Sequence, residues 1–294
     1  MGTSAVHDAI IGLSTISQCQ QTTLEANVEE MIHSMSGAVD ASHVSVKKAE
    51  PKAPLASFDL AGLLTALPIT TGLKVASGTI ALPYKKRAAE GVFASASDLI
   101  IAGTNGLAVP LSVSASQGDD GAVANAEIWF KSTDGLAIPV TISTGQTAAS
   151  QSFSAVYALG PAAVNSTQVP KIVRTTVTFG LEVTPHYYDG GVYPVLFTIN
   201  QRRPMFEFEF EDFDTLATVG PLFSGITDAE VFYRKALDAS TYVPDASLAH
   251  IKFTLTGGLT AVQDASAQEQ QDGKASVKLT GKTIAVSLAS AIAI

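Results

Sequence analysis

Charge is scarce in this chain, and sulfur scarcer. Of 294 residues, 18 are Lys or Arg and 27 are Asp or Glu, so 15% are charged against 46% hydrophobic. A soluble domain generally carries about 25% charged residues. The single cysteine, Cys19, excludes an intramolecular disulfide framework. No apolar run reaches the ~18 residues of a helical membrane span, because Gly, Thr, Ser or a charge interrupts each one. The start, Met1 to Asp8, has no basic segment followed by a long apolar core, so no secretory signal is expected and folding in a cytosol is. Met1-Gly2 is a weak myristoylation signal only.

So apolar a chain with so few charges is expected to have its surface covered by neighbouring subunits. A polar but uncharged Ser/Thr surface on an Ala/Gly-rich domain is the other reading of the same composition. The net charge of −9 argues against duplex binding, whose affinity comes largely from cations neutralising phosphates. It does not argue against DNA passing nearby.

The motifs of common chemistries are missing too. Neither a Gly-x-Ser-x-Gly elbow, a His-Glu-x-x-His pair nor a Gly-x-Gly-x-x-Gly loop occurs. Gly281-Lys282-Thr283 resembles the end of a phosphate loop, but position 276 is Ser276 where that motif needs glycine. No two of His7, His33, His43, His186 and His250 have metal-ligand spacing. His186-Tyr187-Tyr188-Asp189 reads as a strand end entering a turn rather than a cation site. Cys19 has no basic neighbour to lower its pKa. Trp129, the one tryptophan, sits in Glu127-Ile128-Trp129-Phe130, an ordinary strand pattern. The chain is expected to be non-enzymatic, with no catalytic, cofactor-binding or metal-binding residues and no cofactor.

What is present is strand periodicity, preceded by a different segment. Thr22 and Glu25 fit a capping box, and Leu24, Val28, Ile32 and Met35 follow at helical spacing, which predicts a short amphipathic helix. Lys47 to Pro54 reads as a charged, proline-bearing connector, and Phe58, Leu60, Leu63, Leu64 and Leu67 as a second helix stopped by Pro68. Residues 1–70 are therefore expected to form an N-terminal arm with short helices, of which at least part of 1–56 packs on a neighbour. Residues 71–294 would be a β-rich domain, with a possible subdivision near 165–172.

Within that domain, residues 105–114 (Asn105-Gly106-Leu107 onward) match residues 134–143 (Asp134-Gly135-Leu136 onward), which predicts two similar β-hairpins. Asp119-Asp120-Gly121 makes a turn between them. Thr175 to Val183 alternates as one strand, Asp189-Gly190-Gly191 is a hairpin turn, and Tyr193, Val195, Phe197 and Ile199 form the next apolar face. Leu216, Val219, Leu222 and Phe223 suit a helical turn. Further strands are expected at 229–237, 248–255, 275–279 and 283–288, the last two joined by a tight Gly281-Lys282 hairpin. The fold class is mainly β: a sandwich or barrel with short flanking helices.

Phe206-Glu207-Phe208-Glu209-Phe210-Glu211 has a strict period of two. On a strand its three carboxylates share one face at roughly 7 Å intervals, given a rise of ~3.3 Å per residue. Catalytic carboxylate pairs sit in contrasting environments, whereas such a row is uniform. A solvated sheet face and the lining of an acidic channel are the two main readings, with metal binding or catalysis a distant third. Pairing with nearby Arg202 and Arg203 is an alternative use.

Thr178 to Pro194, Asn200-Gln201-Arg202-Arg203-Pro204, Asp212 to Thr218 and Ala229 to Arg234 resemble the tail tube proteins of long-tailed, siphovirus-like bacteriophages. Lys48-Ala49-Glu50-Pro51 leading into Phe58-Asp59-Leu60-Ala61 is similar to their N-terminal region. The resemblance is spread over most of the chain and rests on no invariant motif. It implies a structural, virion-borne protein made and assembled in the bacterial host cytoplasm, forming stacked hexameric rings. It also implies a tape-measure protein and other tail proteins as partners, with DNA passing through the lumen without specific binding. Glu207, Glu209 and Glu211 would line that lumen. Another phage ring protein (baseplate, neck or capsid decoration) and a carbohydrate-binding or depolymerase β-sandwich are the alternatives.

Overall fold

The computed structural model describes residues 4–6, 8–37, 39–76, 78–86, 98–147, 155–211, 225–238, 241–266 and 274–294. The chain opens with β1 (Ser4–Val6), β2 (Ala9–Ile11), β3 (Ser14–Ile16) and β4 (Cys19–Thr22). A ribbon of β5 (Val28–His33) and β6 (His43–Ala49) precedes β7 (Lys52–Ser57) and the helix α1 (Leu60–Ala66). Then come β8 (Leu73–Val75), β9 (Ile80–Lys86), β10 (Asp98–Gly103), β11 (Gly106–Ser116), β12 (Val123–Phe130) and β13 (Val140–Gln146). They are followed by β14 (Tyr157–Val164), β15 (Thr167–Val169), β16 (Ile172–Thr178), β17 (Leu181–His186) and β18 (Leu196–Arg202). The last are β19 (Met205–Phe210), β20 (Gly225–Lys235), β21 (His250–Ser266) and β22 (Lys274–Ser290). The fold is mainly β, as the alternation predicts.

Every strand pairing among the described residues is antiparallel. A twelve-stranded sheet runs β15-β14-β20-β21-β22-β19-β16-β11-β12-β7-β4, with β8 added on β11. A six-stranded sheet runs β13-β10-β9-β2-β3, with β1 on β9. The large sheet turns back on itself, so that its two limbs face each other. Tyr233 on β20 donates a hydrogen bond to the Val113 carbonyl on β11 (3.3 Å) and accepts one from Thr175 on β16 (3.4 Å). Phe253 on β21 packs its ring on Phe179, just beyond β16, at 6.0 Å. Phe206, Phe208 and Phe210 lie fully buried between the limbs with Val177, Val277 and Leu279.

Helix α1 closes one end of this core. Leu60, Leu63 and Leu64 are buried, and each apolar side chain so placed contributes about 1.5–3 kcal/mol. The buried Asp59 caps the helix by accepting from the Gly62 amide (2.8 Å), one of the orphan donors of a first helical turn. The same carboxylate accepts from the Ser17 amide and hydroxyl (3.1 and 2.7 Å), so it ties α1 to the end of β3. Pro68 ends the helix, as expected. The two sheets also meet at Phe130, which occupies the space where a Gly103 side chain would stand.

Several expectations are corrected. The helix expected from Thr22 to Met35 is absent: Thr22 ends β4, Glu25 bridges to Lys52, and Val28–His33 is strand β5. Asn27 takes φ +44, a left-handed conformation no helix interior admits. Val28, Ile32, Val44 and Val46 instead pair in an antiparallel register with their neighbours, where β-branched side chains are well accommodated. The segment 47–54 is likewise not a connector, because β6 and β7 occupy most of it. Strands β2, β3, β4 and β7 lie in the same two sheets as the residues beyond 70.

The repeat does not form two hairpins. Its first copy turns at Asn105 from β10 into β11, which belong to different sheets. In its second copy the Asp134 carboxylate accepts from the Leu136 and Ala137 amides (2.9 and 2.8 Å). Those donors are withdrawn from any ladder, and the strand starts only at Val140. The run 175–183 is two strands, broken at Gly180 with φ +63, where a side chain would collide with the Arg203 carbonyl. Gly281-Lys282 is no hairpin either: it lies inside the 17-residue strand β22, opposite Gly258. Glycine there marks a close backbone approach within a ladder, since a Cβ on Gly258 would meet the Thr280 carbonyl. The segment from Leu216 to Phe223 and the stretch Asp212 to Thr218 lie outside the described residues.

The buried phenylalanine row yields a stability ranking. Phe208→Ala is expected to cost about 3–5 kcal/mol, and Glu209→Gln, which removes one exposed ion pair, less than about 1 kcal/mol. Urea unfolding of the two variants checks this, and a reversed order would contradict the register.

Candidate functional site

The pleat of β19 sends its phenylalanines inward and Glu207 and Glu209 outward, both half-buried. Glu211 lies just past the strand and is exposed. The face is less acidic than the row alone suggests. Glu207 stands between Thr176 on β16 and Lys278 on β22, and Glu209 between Arg174 and Ser276. Arg174 makes an ion pair with Glu209 at 3.2 Å. Of the two arginines considered as alternatives, Arg203 donates to Gln201 (2.8 Å) and Arg202 sits in the β17–β18 register opposite Leu181. The structure thus brings Glu207 and Glu209 together on one face and sets basic residues of the neighbouring strands beside them, while Glu211 lies beyond the ladder.

The feature missed in the sequence is the β5–β6 ribbon. It forms a separate two-stranded sheet and buries almost nothing: all six residues of β5 are exposed. Ile32 opposes Val44, Glu30 opposes Val46 and Met31 opposes Ser45. Ile32 and Val44 are 59% and 58% exposed, and Met35 and Val39 at the tip 71% and 99%. His33 and His43, ten residues apart in sequence, face each other with ring centroids 6.4 Å apart. No group of three or more His, Cys, Asp or Glu that could hold a metal ion occurs among the described residues.

The ribbon leaves the body at a polar joint. The Glu50 amide donates to the Asn27 carbonyl (3.3 Å) and the Ala49 amide to the Val192 carbonyl (2.9 Å). Tyr187 donates its hydroxyl to Glu50 (2.8 Å), and Lys48 and Lys52 lie 3.2 and 3.8 Å from that carboxylate. Lys52 also stands 3.4 Å over the ring of Trp129, a cation–π contact on the best of the aromatic faces. Burial pushes the Glu50 carboxyl up, but hydrogen bonds from Tyr187 and Lys48 and the two lysine charges outweigh it, leaving it below the ordinary carboxylate value. Burial and the hydrogen bond to Glu50 push the Tyr187 phenol up. The Asp189-Gly190-Gly191 turn forms as expected, with Asp189 and Gly190 at φ +53 and +73.

The remaining candidates lie apart from these features. Cys19 is buried and burial pushes its thiol up to about 12, far from a thiolate at neutral pH. His186 shares a 2.8 Å hydrogen bond with Thr198 across the β17–β18 pair. No helix among the described residues is long and apolar enough to cross a membrane. No family model matches the chain, and no curated protein matches it.

The joint predicts a pH dependence. A carboxyl held below its ordinary value stabilises the folded joint fully above that ordinary value, and the contribution is lost as pH falls through the lowered folded value. Tyr187→Phe removes the leading hydrogen bond to the carboxylate and should move the Glu50 titration upward. Carboxyl carbon NMR of the two proteins reads this directly, and an unmoved titration would contradict the joint.

Proposed function

We propose that this chain is a structural subunit that assembles with copies of itself, and specifically the tail tube subunit of a long-tailed bacteriophage. The observation that carries the reading is the exposed apolar ribbon. A two-stranded sheet with no core of its own is at best marginally stable in water, and contiguous exposed apolar surface marks a site of association. The low charge content of the chain points the same way. The tail-tube component of the proposal rests on the resemblance of Thr178 to Pro194, Asn200 to Pro204 and Ala229 to Arg234.

In this reading the rings are hexameric and stack axially, and the outward face of β19 lines the lumen. Slipping β19 by one residue would bury carboxylates, so its register is firmly fixed. Glu207, Glu209 and Glu211 would present like charge to DNA phosphates, which discourages adhesion to the wall. Screening over about 8 Å at physiological salt confines that repulsion to the wall itself. Arg174 and Lys278 moderate it, and the Arg174 ion pair holds Glu209 in place. The function is mechanical, without catalysis or cofactor.

Negative-stain microscopy of the purified chain tests assembly: rings or tubes are expected, and monomers at every salt and protein concentration would overturn the reading. The lumen is tested by replacing all three glutamates with glutamine. Lysine is unsuitable, because it would set cations opposite Lys278 and Arg174 across the strands. Normal tubes with slowed DNA release from virions are expected. Unchanged release from normal tubes would remove the lumen role.

A further inference from the structure

Resting on the self-assembly reading, we propose that the tip of the β5–β6 ribbon of one copy seats in a cavity at the ribbon base of the next, with Asp40 beside Lys74 and Lys131.

The cavity has a volume of about 290 Å³ and an apolar floor of Val75, Leu107 and Phe197, with Lys74 and Lys131 among its lining residues. Small-molecule pockets generally span about 300–1,000 Å³, so this one lies at the lower limit for a ligand and suits one or two side chains. Its charge is unusual in a chain of net charge −9. Neither lysine has an ion-pair partner among the described residues. An occupant that satisfies the site brings apolar side chains and an acid together.

The ribbon tip has that composition. Met35 and Val39 are its most exposed apolar side chains, and Asp40 follows directly, exposed and also without an ion-pair partner among the described residues. The tip cannot fill the cavity of its own chain. The ribbon is held at its base by Asn27, Ala49 and Glu50, and Lys52, two residues on, lies over Trp129. Trp129 packs on Phe197 of the cavity floor, ring centroids 5.6 Å apart. The six residues of β5 at ~3.3 Å each carry the tip roughly 20 Å from that base. Tip and cavity therefore lie at opposite ends of the same device, and joining them between copies makes a head-to-tail contact. Contacts of that kind close into rings or propagate as filaments.

Charge reversal on the full-length protein tests the pairing. Asp40→Lys alone, and Lys74→Glu with Lys131→Glu, should each raise the concentration at which assemblies appear in sedimentation velocity by roughly tenfold or more. Combining the three substitutions should restore most of the loss. Thermal unfolding of each variant monitors folding, since the exchanged residues lie at the surface. As a second measurement, Val39→Cys with Ala76→Cys should give an oxidation-dependent ladder of covalent multimers, because Cys19 is buried. Charge variants that assemble like the parent, or a combination that restores nothing, would overturn the pairing while leaving self-assembly intact. The same holds if the cysteine variant gives no ladder while still assembling. A parent chain that never assembles would overturn both.

Discussion

Burial of the β19 phenylalanines governs much of the rest. Phe206, Phe208 and Phe210 must all leave water on one side of a strand, and a strand of period two can do this only if its other side faces out. That single requirement sets the register with β16 and β22, and it places Arg174 and Lys278 beside the glutamates. It also demands a covering layer, which the large sheet supplies by turning back so that Tyr233 and Phe253 reach β11 and the end of β16. Substitution into this row would be felt in both limbs, since close-packed interiors transmit even small volume changes.

Where the sheet has done its covering, chain is left over. The β17–β18 pair still finds a small core of its own, with Phe197 against Trp129 at 5.6 Å. The β5–β6 pair finds none, and its valines, isoleucine and methionines stay in water. The Glu50 joint holds the ribbon at a defined exit, which in the proposed assembly would present it to a neighbour. Pre-ordering an interface element lowers the entropy lost on association. The economy of surface charge fits the same picture.

Much of the β architecture was legible in the sequence, because alternation and turn residues report directly on buried faces. The Phe/Glu row, the Asp189-Gly190 turn and the helix ending at Pro68 all follow from local rules. Val28, Ile32 and Met35 fit helical spacing as well as a strand, and only the left-handed Asn27 and the partner strand at Val44 and Val46 decide between them. Gly281-Lys282 looks like a turn in one dimension, yet it serves a close approach to Gly258 on another strand. Asp134-Gly135 matches Asn105-Gly106 in sequence, but its carboxylate captures amides that a ladder would need. At the ribbon and at Gly281 a long-range contact overrides a local signal, while at Asp134 a side-chain turn onto the Leu136 and Ala137 amides does.

Hydrogen–deuterium exchange of the β5–β6 amides, followed from dilute protein to concentrations where assemblies form, tests the central claim most directly. The account predicts rapid exchange of Val28–His33 and His43–Ala49 in the dilute protein and strong protection on assembly, while β16 and β19 remain protected throughout. Ribbon amides already protected in the isolated protomer, or exchanging equally fast at every concentration, would contradict it.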